Sequence, residues 1–278
     1  MRANLKVIEL NSLDRFRKDL FGADSSDEIE KLLNWYVKFF EGLNFKFGYD
    51  RPIIRARICS STHGFSHISE LHSPPPEVTS IGRMNEKGNP MFYASYHIGT
   101  ALAEINAKEG DTVQVAQFQL PNKPDSGIRC LAIGEVYNAY HGISTISQSM
   151  FYEIRKLIDK LGKNDIRGLL SYLYMDALSA ELLNDVLASE KDYIYSRTLS
   201  RILLEKYPEI DGLIFPSAKI KGTANITLRP ESILTKAQVV SSQVIKVTKL
   251  YPYGLCDFEV VKQAKGESAD GRIVWSET

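Results

Sequence analysis

The sequence predicts an α+β fold in which a mixed β core is surrounded by helices. Runs rich in β-branched and aromatic residues, typical of strands, occur at residues 53–58 and 91–94 and again from residue 211 onward. Residues 149–207 instead repeat apolar side chains at helical spacing, and so do the first 45 residues. Both element types are therefore expected, with a helical segment ahead of the first strand.

The composition is that of an ordinary globular protein. Of 278 residues, 44% are hydrophobic and 24% are charged, which is enough for a substantial core in one large domain with an appendage, or in two domains. The 34 basic residues equal the 34 acidic ones in number, so the chain lacks the net positive charge of a nucleic-acid-binding protein. No direct nucleic-acid partner is expected, although a net charge of zero is compatible with a local basic patch.

The cysteines and the apolar runs indicate a cellular compartment. Cys59, Cys130 and Cys256 are odd in number and lack metal-ligand spacing, which favours reduced thiols. The N-terminal stretch MRANLKVIELNSLDRF is too charged for a signal peptide, and no apolar run reaches the length needed to span a bilayer. We expect a cytoplasmic protein without a membrane anchor.

The first 45 residues are predicted to be helical. Ser25 and Glu28 have the spacing of a capping box, and Gly42 and Asn44 supply a stop. The apolar residues of one helix face are Ile29, Leu32, Leu33, Tyr36, Phe39, Phe40 and Leu43. The segment shows no chemistry, and packing is favoured over partner binding as its role.

The first strand, Ile53–Ile58, places two arginines on one face. Its alternation puts Arg55 and Arg57 together, opposite Ala56 and Ile58. The arginines either face solvent or approach a ligand.

Three histidines follow the strand without forming a metal motif. His63 and His67 would suit a metal if they were helical, but Gly64 and Ser66 indicate a loop. No acid or cysteine completes a ligand set with them or with His72, so no metal site is predicted.

Residues 73–104 carry the most distinctive pattern. A proline triplet leads into a glycine-flanked loop with Arg83, then a β-prone run with Tyr93, then a short helix that Thr100 is expected to cap and that carries Glu104. A cation, an aromatic ring and a carboxylate thus lie on three elements that could converge on one ligand. Individually, each has an ordinary structural explanation: a solvated loop arginine, a core tyrosine and a helix-surface acid.

Three helices are predicted between residues 149 and 207. They cover 149–161, 166–187 and 194–207, the first capped by Ser149 and ended by Gly162.

The other strands are marked by alternation and turns. A strand is expected over 112–120, with a bulge at Val115–Ala116 where the alternation slips. Residues 224–278 are expected to be strand-rich, with one strand ending at Lys249–Leu250 and a terminal hairpin about Asp270–Gly271.

Ser217 stands at the end of a short buried-type strand. Leu213–Phe215 forms the strand and Pro216 ends it. The sequence has no Gly-x-Ser-x-Gly elbow and no evident histidine partner, so a nucleophilic serine is not expected. Ser217 is either a hydrogen-bonding ligand or a simple turn serine.

Two blocks of sequence resemble a known family. PPPEVTSIGRMNEKGNPMFYASYHIGTALAE followed by GDTVQVAQF, and later DGLIFPSAKIKGTAN, are similar to the RES-domain family, named for an arginine, a glutamate and a serine. The resemblance covers about residues 50–230 and is dense at 73–118 and 211–225. Members are NAD-consuming proteins, commonly the toxins of bacterial toxin–antitoxin pairs, with a fold similar to ADP-ribosyltransferases.

The resemblance implies a domain division and a set of site residues. A helical extension would occupy residues 1–48, and an ADP-ribosyltransferase-like catalytic domain 49–278, with a motif-bearing core over 50–230 and a strand-rich part over 224–278. The family's arginine falls on Arg83, its tyrosine on Tyr93, its glutamate on Glu104, its serine on Ser217 and a further asparagine on Asn225.

The chemistry of NAD cleavage implies a role for each residue. Breaking the nicotinamide–ribose bond develops positive charge on the ribose, which the Glu104 carboxylate would stabilise. Arg83 would clamp the pyrophosphate with its planar fork, and Tyr93 would orient the nicotinamide. These three are the expected catalytic residues, and the expected NAD-binding residues are Arg83, Asn85, Tyr93, Ser217, Arg55 and Asn225.

The resemblance also implies partners. NAD would be a substrate, with no separate cofactor, and a cognate antitoxin is expected. The acceptor of the ADP-ribosyl group, whether water, phosphate or a protein, is left open. The alternatives are a non-catalytic nucleotide- or partner-binding protein of the same fold and, less favoured, a ribonuclease-type toxin.

Overall fold

The computed structural model describes residues 7–47, 51–121, 127–184 and 193–276. Strands and helices are mixed along the chain, as the sequence predicts. The strands are β1 (Leu43–Phe47), β2 (Ile53–Ile58), β3 (Phe92–Ser95), β4 (Thr112–Gln119), β5 (Ile128–Ala132), β6 (Gly212–Pro216), β7 (Ala224–Leu228), β8 (Gln238–Leu250), β9 (Cys256–Glu267) and β10 (Ile273–Trp275). The helices are α1 (Leu10–Gly22), α2 (Ser26–Val37), α3 (Ile98–Glu104), α4 (Glu135–Tyr140), α5 (Gln148–Asn164), α6 (Ile166–Asn184), α7 (Ile194–Lys206) and α8 (Pro230–Lys236).

The described strands form one mixed sheet in the order β1-β5-β6-β7-β3-β2-β4-β8-β9-β10. Neighbouring strands are antiparallel except β5 and β6, which are parallel. The β6-β7-β3-β2 group lies in the middle of the sheet, so residues at the ends of these strands come together although they are far apart in the chain. Across the described ranges, no helix is long and apolar enough to cross a bilayer.

The N-terminal helices pack on α6 and α7 in the largest hydrophobic core. Phe16, Leu33 and Tyr36 are buried there with Tyr195 and Leu199 of α7. The Tyr36 hydroxyl donates to the carbonyl of Met175 at 2.5 Å, which joins α2 to α6. The packing role expected for this segment is confirmed, while the division at residue 48 stays a prediction.

The predicted helical run to residue 45 is wrong at its end. Ser25 caps α2 as expected, but the helix ends at Val37, and Leu43 begins β1, which pairs with β5. The Lys206 ammonium donates to the carbonyls of Val37 and Phe40, which satisfies the end of α2. The buried Leu43 fits the helical spacing only by coincidence, because it belongs to a hydrophobic cluster with Val136 of α4 and Ile154 of α5.

Three short elements were not predicted. β5 and α4 occupy a stretch with few sequence signals, and α8 lies in the part expected to be strand-rich. Most of β5 is buried, so it lacks the alternation of a half-exposed strand. Pro230 occupies the first turn of α8, where its missing N–H costs nothing.

Several predicted boundaries also need correction. The N-cap of α3 is His97, and Thr100 lies buried within the helix. The register of β4 against β8 shifts between Gln117 and Phe118, not at Val115–Ala116. The N-cap of α5 is Ser147 and not Ser149, and the helix continues through Gly162 to Asn164. The strand Ile53–Ile58, the strand before Ser217 and the terminal hairpin are confirmed, while the end of the second predicted helix lies outside the described residues.

A close backbone approach fixes the start of α3. A Cβ on Gly99 would lie 1.6 Å from the carbonyl oxygen of Gly254, so only glycine fits there. Gly254 belongs to the connection between β8 and β9 and adopts a φ of +77°. The connection thereby packs on the helix that carries Glu104.

Candidate active site

A cleft of about 900 Å³ opens beside the middle of the sheet. Such a volume is in the range of small-molecule sites. Its polar lining residues include Arg55, Arg57, Ser80, Arg83, Asn85, Tyr93, Ser95, Glu104, Lys219 and Asn225. The loop that carries Arg83, the end of α3 and the β6–β7 connection therefore meet at one cavity.

Glu104 is the centre of the polar contacts in this cleft. Its Oε2 pairs with the Arg83 guanidinium, and its Oε1 accepts from the hydroxyl of Ser217 at 2.7 Å and from the amide of Asn225 at 2.6 Å. Only 17% of the Glu104 side chain and 13% of the Arg83 side chain are exposed. Three residues that are far apart in the sequence thus converge on one carboxylate.

The sheet register explains how Asn225 reaches Glu104. Ser95 on β3 is the register partner of Asn225 on β7, and its hydroxyl donates to Asn225 Oδ1 at 2.5 Å. This contact turns the amide NH₂ of Asn225 toward Glu104. Ser95 was missed by the sequence analysis, although its position at the end of the FYAS strand, two residues after Tyr93, could have identified it.

Ser217 is oriented as a hydrogen-bond donor. Its Oγ accepts from the backbone N–H groups of Lys219 and Ile220, each at 3.1 Å, so its proton is directed to Glu104. The ring of Phe215, near the end of β6, lies 5.3 Å from the Arg83 guanidinium carbon. Phe215 is also the register partner of Asn225 on β7, and it was missed because this strand pairing is not visible in the sequence.

Tyr93 and Asn85 hold the Arg83 loop. The Tyr93 hydroxyl accepts from the Met84 backbone N–H at 2.9 Å and donates to Asn85 Oδ1 at 2.7 Å. The Asn85 amide donates to the carbonyls of Ser80 and Glu86. Burial raises the pKa of Tyr93 well above its ordinary value. Both side chains line the cleft, but these polar groups are engaged by the loop, and their assignment to NAD binding stays a prediction.

Arg55 lines the cleft without a carboxylate partner among the described residues. Its Nη1 donates to the Tyr93 carbonyl at 3.0 Å, its guanidinium lies 5.0 Å from the Phe92 ring, and its Nε is buried with no partner. Burial, followed by the charge of Arg57, lowers the pKa of Arg55 to about 10. A buried cation that lacks an anion is costly, so an anionic ligand group would satisfy it.

The remaining candidates lie elsewhere or are differently engaged. Arg57 is exposed, donates to the Glu70 carbonyl at 2.6 Å and covers the Phe65 ring. His67 contacts Ser69 and the Asp270 carbonyl instead of a ligand. In the part of the chain that is described, no three histidine, cysteine or acidic side chains cluster as a metal site would require.

Comparisons with known proteins identify the family. No curated protein matches the chain by sequence. Among solved structures, the M. tuberculosis MbcT–MbcA toxin–antitoxin complex contains a chain with 9% identity and a TM-score of 0.38, over 76% of this chain and 91% of that chain. A likeness this distant says nothing about the chemistry of the cleft. The family model for the RES domain matches residues 55–246, well over half of the chain. The chain therefore belongs to the RES domain family.

Proposed function

We propose that this protein cleaves the nicotinamide–ribose bond of NAD and that Glu104 supplies the essential carboxylate. The observation that carries the proposal is the convergence of Arg83, Ser217 and Asn225 on Glu104, a carboxylate that lines the 900 Å³ cleft. A carboxylate held by three donors in a cleft is positioned before the substrate arrives, so little free energy is spent on reorganising it during the reaction.

The geometry leaves Glu104 able to act on a ribose. A carboxylate offers about four lone-pair sites, and three of them are engaged. The remaining site suits a ribose hydroxyl. As the bond to the neutral nicotinamide breaks, positive charge grows on the ribose, and the ionised carboxylate attracts it more strongly than it attracts the ground state.

Two arginines divide the binding of the anionic part of NAD. Arg83 has five N–H donors, and the structure commits one nitrogen to Glu104, so other donors remain for a phosphate oxygen. Arg55, with its unpartnered Nε, is a second phosphate ligand in this proposal. Phosphates would then lie near β2 and the Arg83 loop, with the scissile bond beside Glu104.

Membership of the RES domain family supports the biological role that we propose. The chain would act as the toxin of a toxin–antitoxin pair in the cytoplasm, restrained by a cognate antitoxin. Water as acceptor would release ADP-ribose, phosphate would release ADP-ribose phosphate, and a protein side chain would become ADP-ribosylated.

The test is incubation of the purified protein with NAD, with and without inorganic phosphate. Nicotinamide release is followed, and the ADP-ribosyl product is identified by mass. Release by the wild type and by Glu77→Gln, an exposed acid outside the cleft, but not by Glu104→Gln, is the expected result. Stoichiometric NAD binding without release, in the presence of each acceptor, would instead favour a non-catalytic binding protein.

A further inference from the structure

The loop that carries Arg83 is a tight turn, and residues outside the cleft hold it in place. Gly82 and Asn85 exchange backbone hydrogen bonds of 3.0 and 3.3 Å across the turn. Its two central residues point in opposite directions: Met84 is 1% exposed and packs in the core shared with α1, α2 and α7, whereas Arg83 reaches Glu104. The position of the Arg83 guanidinium therefore depends on what holds the turn.

Two residues on one face of helix α7 contact the turn. Arg197 pairs with Glu86, and the hydroxyl of Ser200, which is fully buried, donates to the Met84 carbonyl at 3.2 Å. Residues three apart on a helix are neighbours on its surface, so the two contacts act as one attachment. Both contacts fall within three residues of Arg83.

The Arg197–Glu86 ion pair is partly shielded from solvent, which strengthens the attraction between the two charges. The exposed fractions of the two side chains are 18% and 25%, and the Arg197 Nε is buried without a partner. Glu86 is the acid that pairs with Arg197, and it directly follows Asn85, the last residue of the turn. Removing either partner leaves the other charge partly buried and uncompensated.

We propose that Arg197 and Ser200 are positioning residues for the Arg83–Glu104 pair. The inference rests on the proposed NAD cleavage and deepens it, because it places part of the catalytic geometry on α7, outside the cleft. Neither residue lines the cleft; each holds the turn in place, and with it the Arg83 guanidinium that pairs with Glu104. A displacement of about 1 Å at a catalytic group lowers rates on the order of 100-fold, which sets the expected size.

The experiment compares Arg197→Met with Arg201→Met. Arg201 lies one turn later on α7 and pairs with Glu30 of α2 and with Glu205, not with the Arg83 turn. We expect Arg197→Met to lower kcat for NAD cleavage by roughly 10- to 100-fold with less than about a threefold change in KM. Arg201→Met should retain wild-type kcat, although it should shift the melting temperature by about as much as Arg197→Met does.

Two further variants separate positioning from general stability. The structure joins Arg197 to Glu86 through a single guanidinium nitrogen, so Arg197→Lys can restore one charge-assisted bond and should recover most of kcat. Glu86→Gln should reproduce the loss, and the Glu86→Gln/Arg197→Met double variant should lose little more than either single one, because both remove the same contact.

The outcomes distinguish this inference from the proposed function. Equal kcat in Arg197→Met and Arg201→Met would overturn the positioning role. Absence of NAD turnover in the wild type would overturn the proposed function instead, and then the structure of Arg197→Met decides: an Arg83–Glu104 contact that persists unchanged would overturn the inference, and a displaced Arg83 would support it.

Discussion

Two carboxylates, Glu104 and Asp176, each accept three hydrogen bonds, yet their surroundings differ. Glu104 accepts from Arg83, Ser217 and Asn225, which are side chains on separate elements. Among the described residues, Asp176 on α6 accepts from the backbone N–H groups of Gly134, Val136 and Tyr137, each at 2.9 Å. One site faces a cleft, and the other is 1% exposed.

An equal number of hydrogen bonds does not make the two carboxylates equally accessible to a ligand. The donors of Asp176 belong to the first turn of α4, so the carboxylate joins two helices and cannot exchange a partner without breaking the fold. Burial, reinforced by the nearby Glu135, raises the pKa of Asp176 to about 7. The donors of Glu104 can move by side-chain rotation, and a ligand can enter. We therefore expect Glu104 to take part in catalysis and Asp176 to contribute to the stability of the fold.

The largest expected effect is on activity at Glu104. In Glu104→Gln an amide NH₂ replaces one acceptor oxygen and faces donors, and the negative charge is lost. We expect kcat for nicotinamide release to fall about 100- to 1,000-fold, the range for removing a dominant electrostatic contact. The melting temperature is measured alongside, and a folded variant with wild-type turnover would remove Glu104 from the mechanism.

Arg55 should affect binding more than turnover. Arg55→Met removes the guanidinium proposed to meet a phosphate, and KM for NAD should rise roughly 10- to 100-fold, since a charge-assisted hydrogen bond contributes about 1.5–3 kcal/mol. Its melting temperature should stay level or increase, because a buried cation without an acid partner is removed. A lower melting temperature with unchanged KM would make Arg55 a structural residue.

Ser217 should have a smaller effect on rate. Ser217→Ala deletes one of three donors to Glu104, and we expect kcat to fall about 10-fold, corresponding to about 1.4 kcal/mol. The matched control is Ser144→Ala, whose hydroxyl donates to the buried Glu135 away from the cleft. Equal turnover in the two variants would show that the Ser217 hydroxyl does not assist Glu104.

The smallest expected effect on activity is at Asp176, where pH-dependent stability should change instead. Its folded-state pKa, about 7, exceeds the usual 3.8, so between these pH values the folded protein binds the proton that the unfolded chain releases. This contribution to the free energy of unfolding therefore falls as pH rises from 4 to 7, by up to about 1.4 kcal/mol per pH unit, and is constant above.

Urea unfolding of the wild type and of Asp176→Asn between pH 4 and 8 tests this expectation. The variant cannot titrate at this position, so the stability difference between the two proteins should change with pH over that window. A difference independent of pH would mean that Asp176 titrates alike in both states. NAD turnover of Asp176→Asn at constant pH should equal that of the wild type.

Local sequence patterns were informative where local physics decides the structure. The strand Ile53–Ile58, the cap at Ser25 and the strand ending before Ser217 follow from alternation, capping and proline, which act within a few residues. The end of α2 and the buried strand β5 were missed because partners distant in the chain satisfy them. The start of α3 was misplaced because it is fixed by the close approach of Gly254 to Gly99. Leu43, for example, has helical spacing but pairs with Ala132 of β5.

The same distinction holds for the candidate site. The motifs around Arg83, Glu104 and Ser217 were enough to identify the family, as the RES domain match confirms. The contacts between these groups became visible in the folded chain: Arg83 pairs with Glu104, Tyr93 is held by its own loop, and α7 holds the turn through Arg197. Motifs can be recognised from residues that are close together in the sequence. Glu86 and Arg197 are 111 residues apart, and such partners are brought together by the order of the strands and the packing of the helices.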